Sequence, residues 1–482
     1  MGTKHLEKDA KLVTFKTIII MKKVILCAAA LMIGGFAFAQ GTAPVAHQGG
    51  LPTTPSGTAN DGMSIQNGND HKVLVQQAGQ KNTVFTDQDN QSTTIGANLA
   101  WIRQSGVNTT ESGVANMADV LQDGDNNLSS TDQNGDMNNA VTNQGQTDDT
   151  SSGNDASIQQ GVGWAEGNSA AIEQDGTDNI ARTIQFHDNN VAWTDQDGTD
   201  NQADILQNAA PDKTDPGHMA YVKQLGGDNI AEIDQSGKFN RAFTNQGAGV
   251  AGGGDFDVDP TGIFTKLSDT DSGGTFDGES TFATAYQKQE GEDNDAYIEQ
   301  FGAGTSSVDG NYAEQTQTAA SKGSKAYITQ NAYGVADGTG SKARQFQDGD
   351  TNEAGISQLG YDHKAQQLQS GADNAIYSSQ RGTGNVLYSN QSEGGNYGLT
   401  EQRGDYNVAV LLQTGGQRYT ISQGMDDWGT TGNQVVVEQL PADGVFMTDY
   451  STIECGFTPL TPGTPASGLT LADVCADCIP NP

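Results

Sequence analysis

Apolar residues are scarce in this chain, at 34% of 482 positions, and aromatics make up only 7%. That is too little for a globular enzyme of this length to build an ordinary core. Basic residues are scarcer still, 24 Lys and Arg against 60 Asp and Glu, giving a formal charge of −36. A surface so acidic argues against nucleic-acid binding. Low hydropathy with high charge usually means disorder, and only a strong internal pattern can override that expectation. Such a pattern is present.

From Gln347 to Gln413 the chain returns to glutamine every eleven residues, at Gln358, Gln369, Gln380, Gln391 and Gln402 between them. Each step is a heptad, Asn-x-Ala-x-(Ile/Thr/Val)-x-Gln, joined to the next by a four-residue arc with Gly second. An eleven-residue period also suits a right-handed helical supercoil. Asn and Gly recur here at places where a helix interior disfavours them, however, and no apolar stripe has helical spacing. Alternation fits instead. In Asn190-Val-Ala192-Trp-Thr194-Asp-Gln196 the odd positions are the constant ones and the even positions vary from repeat to repeat. A strand sends alternate side chains to opposite faces, so the constant set is expected inside and the variable set in solvent.

One such strand buries nothing alone. Strand, arc, strand and arc make a flattened coil of roughly 22 residues, and coils stack at about 4.8 Å. The expected fold is therefore all-β, a β-solenoid with two strands per coil. A buried amide without partners costs about 1–3 kcal/mol, and stacking each amide over its copy in the next coil supplies the partners. The predicted amide ladder comprises Asn190, Gln196, Asn201, Gln207, Asn229, Gln235, Asn240, Gln246, Asn352, Gln358, Gln369, Asn374, Gln380, Asn385, Gln391, Asn407 and Gln413. The arc glycines Gly198, Gly237, Gly349, Gly371, Gly382 and Gly404 allow the tight reversal.

The pattern resembles the curlin-repeat family, the subunits of curli, amyloid fibres on bacterial surfaces. That family's Gln-x-Gly-x-x-Asn-x-Ala followed by Gln stands here at Gln196-Asp-Gly198-Thr-Asp-Asn201-Gln-Ala203 with Gln207. It recurs at Gln235-Ser-Gly237-Lys-Phe-Asn240-Arg-Ala242 with Gln246, and the resemblance covers residues 71–439. It implies a secreted fibre subunit acting in adhesion and biofilm matrix, exported through an outer-membrane pore and started by a nucleator subunit.

In chain order, residues 1–39 read as a leader and secretory signal. Met21-Lys22-Lys23 precedes an apolar run from Val24 to Phe38, too short for a full span and closed by Ala37-Phe38-Ala39. No membrane span is expected in the mature chain. Residues 40–70 read as a flexible segment. Heptads then run from His71 to Gln439, 27 in all, about thirteen coils or 60–65 Å of stack. Twenty open with Asn, and His71, His218 and His363 stand in for it as Asn substitutes. Ala283, Ser324, Ser341 and Gln417 depart, and the Asn row is expected to break there. An insertion at 247–282 is expected to loop out of the stack rather than hinge it. The tail, 440–482, holds Cys455, Cys475 and Cys478. A structural disulfide is their first reading in an exported chain, with the pairing left open. Cys475-Ala-Asp-Cys478 lacks both a thioredoxin-like context and the second half of a zinc site.

The sequence holds no nucleophile triad spacing, dinucleotide fingerprint or P-loop. No enzyme activity, metal or cofactor is expected. Acidic arcs such as Asp123-Gly-Asp125 and Asp348-Gly-Asp350 suggest Ca²⁺, but they lack the ligand spacing of Ca²⁺-binding repeats and read as solvated edges. Two functions of different class compete. The first is a self-associating fibre subunit, whose partner is its own copy. The second is a monomeric surface- or ice-binding solenoid, which needs one residue type repeated along an outward row. The even positions are too mixed for that. They also show no cluster of acids or Arg on one face, as a polysaccharide-degrading β-helix would need.

Overall fold

The computed structural model describes residues 59–441 except 68–69, 90–96, 108–115, 146–150, 210–216, 248–279, 304–309, 332–339 and 425–431. The leader, most of the insertion, and the three tail cysteines lie outside the described residues. Among those described there are 29 strands, numbered in chain order from β1 (Asp61–Asn67) and β2 (Lys72–Gln80) to β28 (Arg418–Gln423) and β29 (Gln434–Gln439). Successive heptads alternate between two sheets, one of 15 strands and one of 14, and every pairing is parallel. The protein is a β-solenoid with two strands per coil.

Register follows the heptad. Ala192 lies between Ala170 and Ala220, and Gln196 between Gln174 and Gln224, with no slip. The third-position alanines, Ala192, Ala203, Ala220, Ala231 and Ala242 among them, are at most 2% exposed. Together with the fifth-position Ile205, Val222 and Ile233 they form one of the small apolar clusters strung along the axis. A slip by one residue would turn this whole set outward, which is why the register holds. The pairing continues across the insertion: Gln246 bonds Gln300 at 2.9 Å and Gln235 bonds Gln289 at 2.8 Å. Ser280 and Thr281, at its end, add a short strand (β16) between the Gly226 and Gly302 levels.

Three expectations change. The segment 40–70 contains β1, whose frame Asn60-Asp-Gly-Met-Ser-Ile-Gln66 is a heptad with Gly at position three and Ser at position five. The stack therefore has fourteen coils, the main strands numbering 28 once β16 is set aside. Second, the even positions are not uniformly in solvent. Trp193, Tyr221, Phe243, Tyr297 and Tyr327 occupy the fourth position on successive strands of one sheet, and all are at most 9% exposed. In-register stacking sets each beside the next, with Trp193 edge-on to Tyr221 at 4.2 Å and Tyr297 stacked on Tyr327 at 5.2 Å. On the other sheet Arg344 donates from Nε to Glu314 at 2.9 Å, with both side chains about 5% exposed.

Third, at its serines the Asn row loses the amide-to-amide link, as Asn352 Nδ2 turns to Gly371 O, but keeps its backbone acceptor. Asn352 donates its backbone N–H to Ser324 Oγ at 3.2 Å, and His363 donates to Ser341 Oγ at 3.3 Å, so a hydroxyl serves where an amide oxygen otherwise would. Ala283 does interrupt its row. It donates to Asn229 Oδ1 at 3.1 Å but carries no side-chain acceptor for Asn311 above it.

The fifth position carries a cost. The hydroxyls of Thr86, Thr131, Thr142, Thr183 and Thr194 are buried with no hydrogen-bond partner among the described residues. Thr194 sits in register between Ile172 and Val222. Thr194→Val keeps the shape and removes the orphaned hydroxyl, so it should stabilise the surrounding coils by about 1 kcal/mol. Slower amide hydrogen exchange in the strands around Thr194 is the readout.

Candidate functional site: amide ladders and open edges

The seventh-position glutamines form two uninterrupted rows. In one sheet the row runs from Gln66 through Gln88, Gln122 and Gln144 to Gln423, each Nε2 donating to the next Oε1 at 2.7–2.9 Å. In the other it runs from Gln77 to Gln439 at 2.8–3.1 Å. The orientation of each amide is set by a second bond. Gln196 Nε2 also reaches Ile180 O at 3.0 Å and Gln207 Nε2 reaches Val191 O at 2.9 Å, across the coil interior. Only a nitrogen can meet those carbonyls, so every glutamine donates toward the C-terminal end of the stack.

The first-position asparagines run the other way. Asn190, Asn201, Asn229, Asn374 and Asn407 donate from Nδ2 to the Oδ1 of the preceding Asn in their rows at 3.0–3.1 Å. That Oδ1 also takes the later residue's backbone N–H, as Asn168 does from Asn190 at 2.9 Å. Asn240 and Asn385 donate their backbone N–H to His218 and His363 Nδ1 at 3.2 and 3.3 Å, while Asn352 uses Ser324. All the predicted ladder residues are thus in the interior, none more than 1% exposed. A third row escaped the sequence reading. Gln287, Gln315, Gln345 and Gln367, at position five of successive strands in the second sheet, bond Nε2 to Oε1 at 2.9–3.0 Å. Its signal was the Gln-x-Gln that closes each of those heptads.

The predicted arc glycines Gly198, Gly237, Gly349, Gly371, Gly382 and Gly404 all have φ between +87° and +126°. In a four-residue arc the last residue is left-handed too: Asp200, Asp228, Asp362 and Asp373 lie at φ 55–59°. Asp tolerates that conformation better than most residues, and the Asp-Asn or Asp-His junctions at these arcs are the clue in the sequence.

The histidines act as ring-shaped asparagines. Nδ1 of His71, His218 and His363 accepts the backbone N–H of the next Asn in its row at 3.2–3.3 Å, and Nε2 of His363 lies 3.1 Å from Leu359 O. Burial pushes both His218 and His363 down to about 4 from an ordinary 6.5. Between pH 6.5 and 4 the unfolded chain takes up protons that the folded one refuses, so these residues lose stability as pH falls through that window. Desolvation raises Asp155, Asp195 and Asp234 and acts in the opposite direction. The comparison that isolates the histidines is His218→Asn with His363→Asn. The double variant should resist acid better than the parent between pH 6.5 and 4, by on the order of 3 kcal/mol per histidine, and match it at pH 8. Denaturant titrations at the three pH values check it.

No cluster of three or more His, Cys, Asp or Glu side chains among the described residues is placed to hold a metal. A groove of about 740 Å³ along the arc edge is lined by Gln76, Arg103, Asp132, Gln159 and others, and its Arg103 is paired with Asp132. The remaining feature is the pair of ends. β1 and β2 begin their sheets and β28 and β29 finish them, each with one edge unpaired among the described residues. Fold and ladders together define a repeat β-solenoid whose terminal strand edges are open among the described residues. No family model matches the chain, and no curated protein matches it.

Proposed function

We propose that the protein is a secreted structural subunit that assembles head to tail into curli-like fibres at the bacterial surface, serving adhesion and biofilm matrix. The observation that carries this reading is the continuous in-register pairing that stops, among the described residues, at an unpaired edge on each end. Such an edge is a template for another strand. The first and last edges of a solenoid differ, so the contact is heterologous and does not close, which produces a filament. The curlin-type heptad supports the same assignment and suggests a nucleator subunit and an export pore as partners. The acidic charge suits a chain that must stay soluble before it polymerises. The test is incubation of the purified chain from Gln40 onward, followed by electron microscopy and fibre diffraction. Filaments with reflections near 4.8 Å along the axis and about 10 Å across it are expected, and a persistent monomer would refute the assignment.

A further inference from the structure

We propose that the two ends of the solenoid are mutually shaped, so that β28 and β29 of one copy receive β1 and β2 of the next in a single register. This rests on the self-assembly reading above and specifies its contact. Within the heptads, the pairing in both sheets matches position to position, as in Gln402↔Gln423 and Gln66↔Gln88. Continued by one coil, the same rule sets Gln423 against Gln66 and Gln439 against Gln77. Both glutamine rows donate toward the C-terminal end, so Nε2 of Gln423 and Gln439 would meet Oε1 of Gln66 and Gln77 in the next copy.

The residues that this register brings together fit one another. Position three is Ala in most strands, yet in β28 it is Tyr419, 41% exposed. Only two heptads carry Gly at that position, Gly398 and Gly62. Gly398 is the in-register neighbour of Tyr419 within the chain, and Gly62 would be its neighbour across the seam. Gly62 is not required by its own coil. A Cβ there would lie 3.7 Å from Val84 O, an ordinary contact, and its φ is not positive. The missing side chain leaves room for something outside the chain, and Tyr419 is the side chain that needs room.

The neighbouring positions agree. Arg418 falls beside Asp61, opposite charges in register. Val435, Val436 and Val437 fall on Val73, Leu74 and Val75, so three apolar residues meet three. Leu74 and Val436 are 50% and 42% exposed within a single copy. A one-residue slip would instead bury Arg418 and turn Tyr419 outward. The seam therefore selects another copy of this chain, in one polarity and one register.

Proximity tests this directly. In a chain whose four cysteines are serine, Asp61→Cys and Arg418→Cys would stand on adjacent strands about 4.8 Å apart, within disulfide reach. Oxidation of a mixture of the two single variants should give dimers bridged between those two positions, and neither variant alone should. Gly62→Tyr should slow seeded elongation roughly tenfold through overpacking, and adding Tyr419→Gly should restore it. Filaments with bridges between other positions, or without that rescue, would overturn the seam and leave self-assembly standing. A chain that remains monomeric and forms no bridge would remove both.

Discussion

Gln358→Lys, Gln380→Lys and Gln402→Lys combined should abolish the ordered stack over the C-terminal third of the solenoid. The three glutamines are consecutive in one row, bonded at 2.8 and 2.9 Å and at most 1% exposed. An ammonium accepts no hydrogen bond, so Gln330 Nε2 loses its acceptor at position 358 and the three lysines cannot bond to one another along the row. It also places a charge where water is absent, and neighbouring charges would stand about 4.8 Å apart. Burial of a lysine alone can depress its pKa by several units, equivalent to roughly 4 kcal/mol or more per site. The matched control is Leu99→Lys, Ile180→Lys and Val191→Lys, which adds the same three charges at outward positions 40–48% exposed. Far-UV circular dichroism and hydrogen exchange should show loss of protection from about Glu353 onward in the first variant and little change in the control. If the interior variant keeps its protection, the amides are not what holds the coils in place.

The second large effect lies in the arcs. Gly198→Ala should cost on the order of 3 kcal/mol or more and open the coils on either side. Gly198 has φ +126°, and a Cβ there would sit 1.8 Å from Gly226 O, a backbone atom of the next coil. Neither the conformation nor the contact can relax without parting the two arcs. Gly416 separates the two causes: its φ is +74°, but nothing lies within 4 Å of a Cβ. Gly416→Ala should therefore carry only the conformational cost, about 1 kcal/mol. Because a solenoid opens locally, exchange protection in Ser169–Thr177, Val191–Thr199 and Met219–Gly227 is a better readout than a single melting temperature.

The architecture was legible because a period of two inside a period of eleven has few physical solutions. Asn190 to Gln196 alone indicates which face is inside, and the arc glycine gives the point of reversal. The parts that were not legible share a cause. A sequence motif is defined by residue identity, whereas the stack selects for hydrogen-bonding geometry. Ser324 and Ser341 break the Asn pattern but present an oxygen at the needed height. The heptad at Asn60–Gln66 was hidden by Gly62 and Ser64 in places where Ala and Ile or Thr were expected. Likewise, polarity did not predict which even positions are buried. Trp193 and Tyr221 point away from the interior, yet each is covered because parallel register places a large ring on the adjacent strand.

The opposed directions of the two amide rows have an electrical consequence. Where Asn fills the first position, the glutamine dipoles have their positive ends toward the C-terminal end of the stack and the asparagine dipoles point the other way. An α-helix sums its peptide dipoles into partial charges at its termini. Here the side-chain contributions largely cancel, and the strands contribute only a small net moment. Adding a coil therefore builds no end-to-end dipole from its amides, and what accumulates along the stack is instead the acidic charge of the chain.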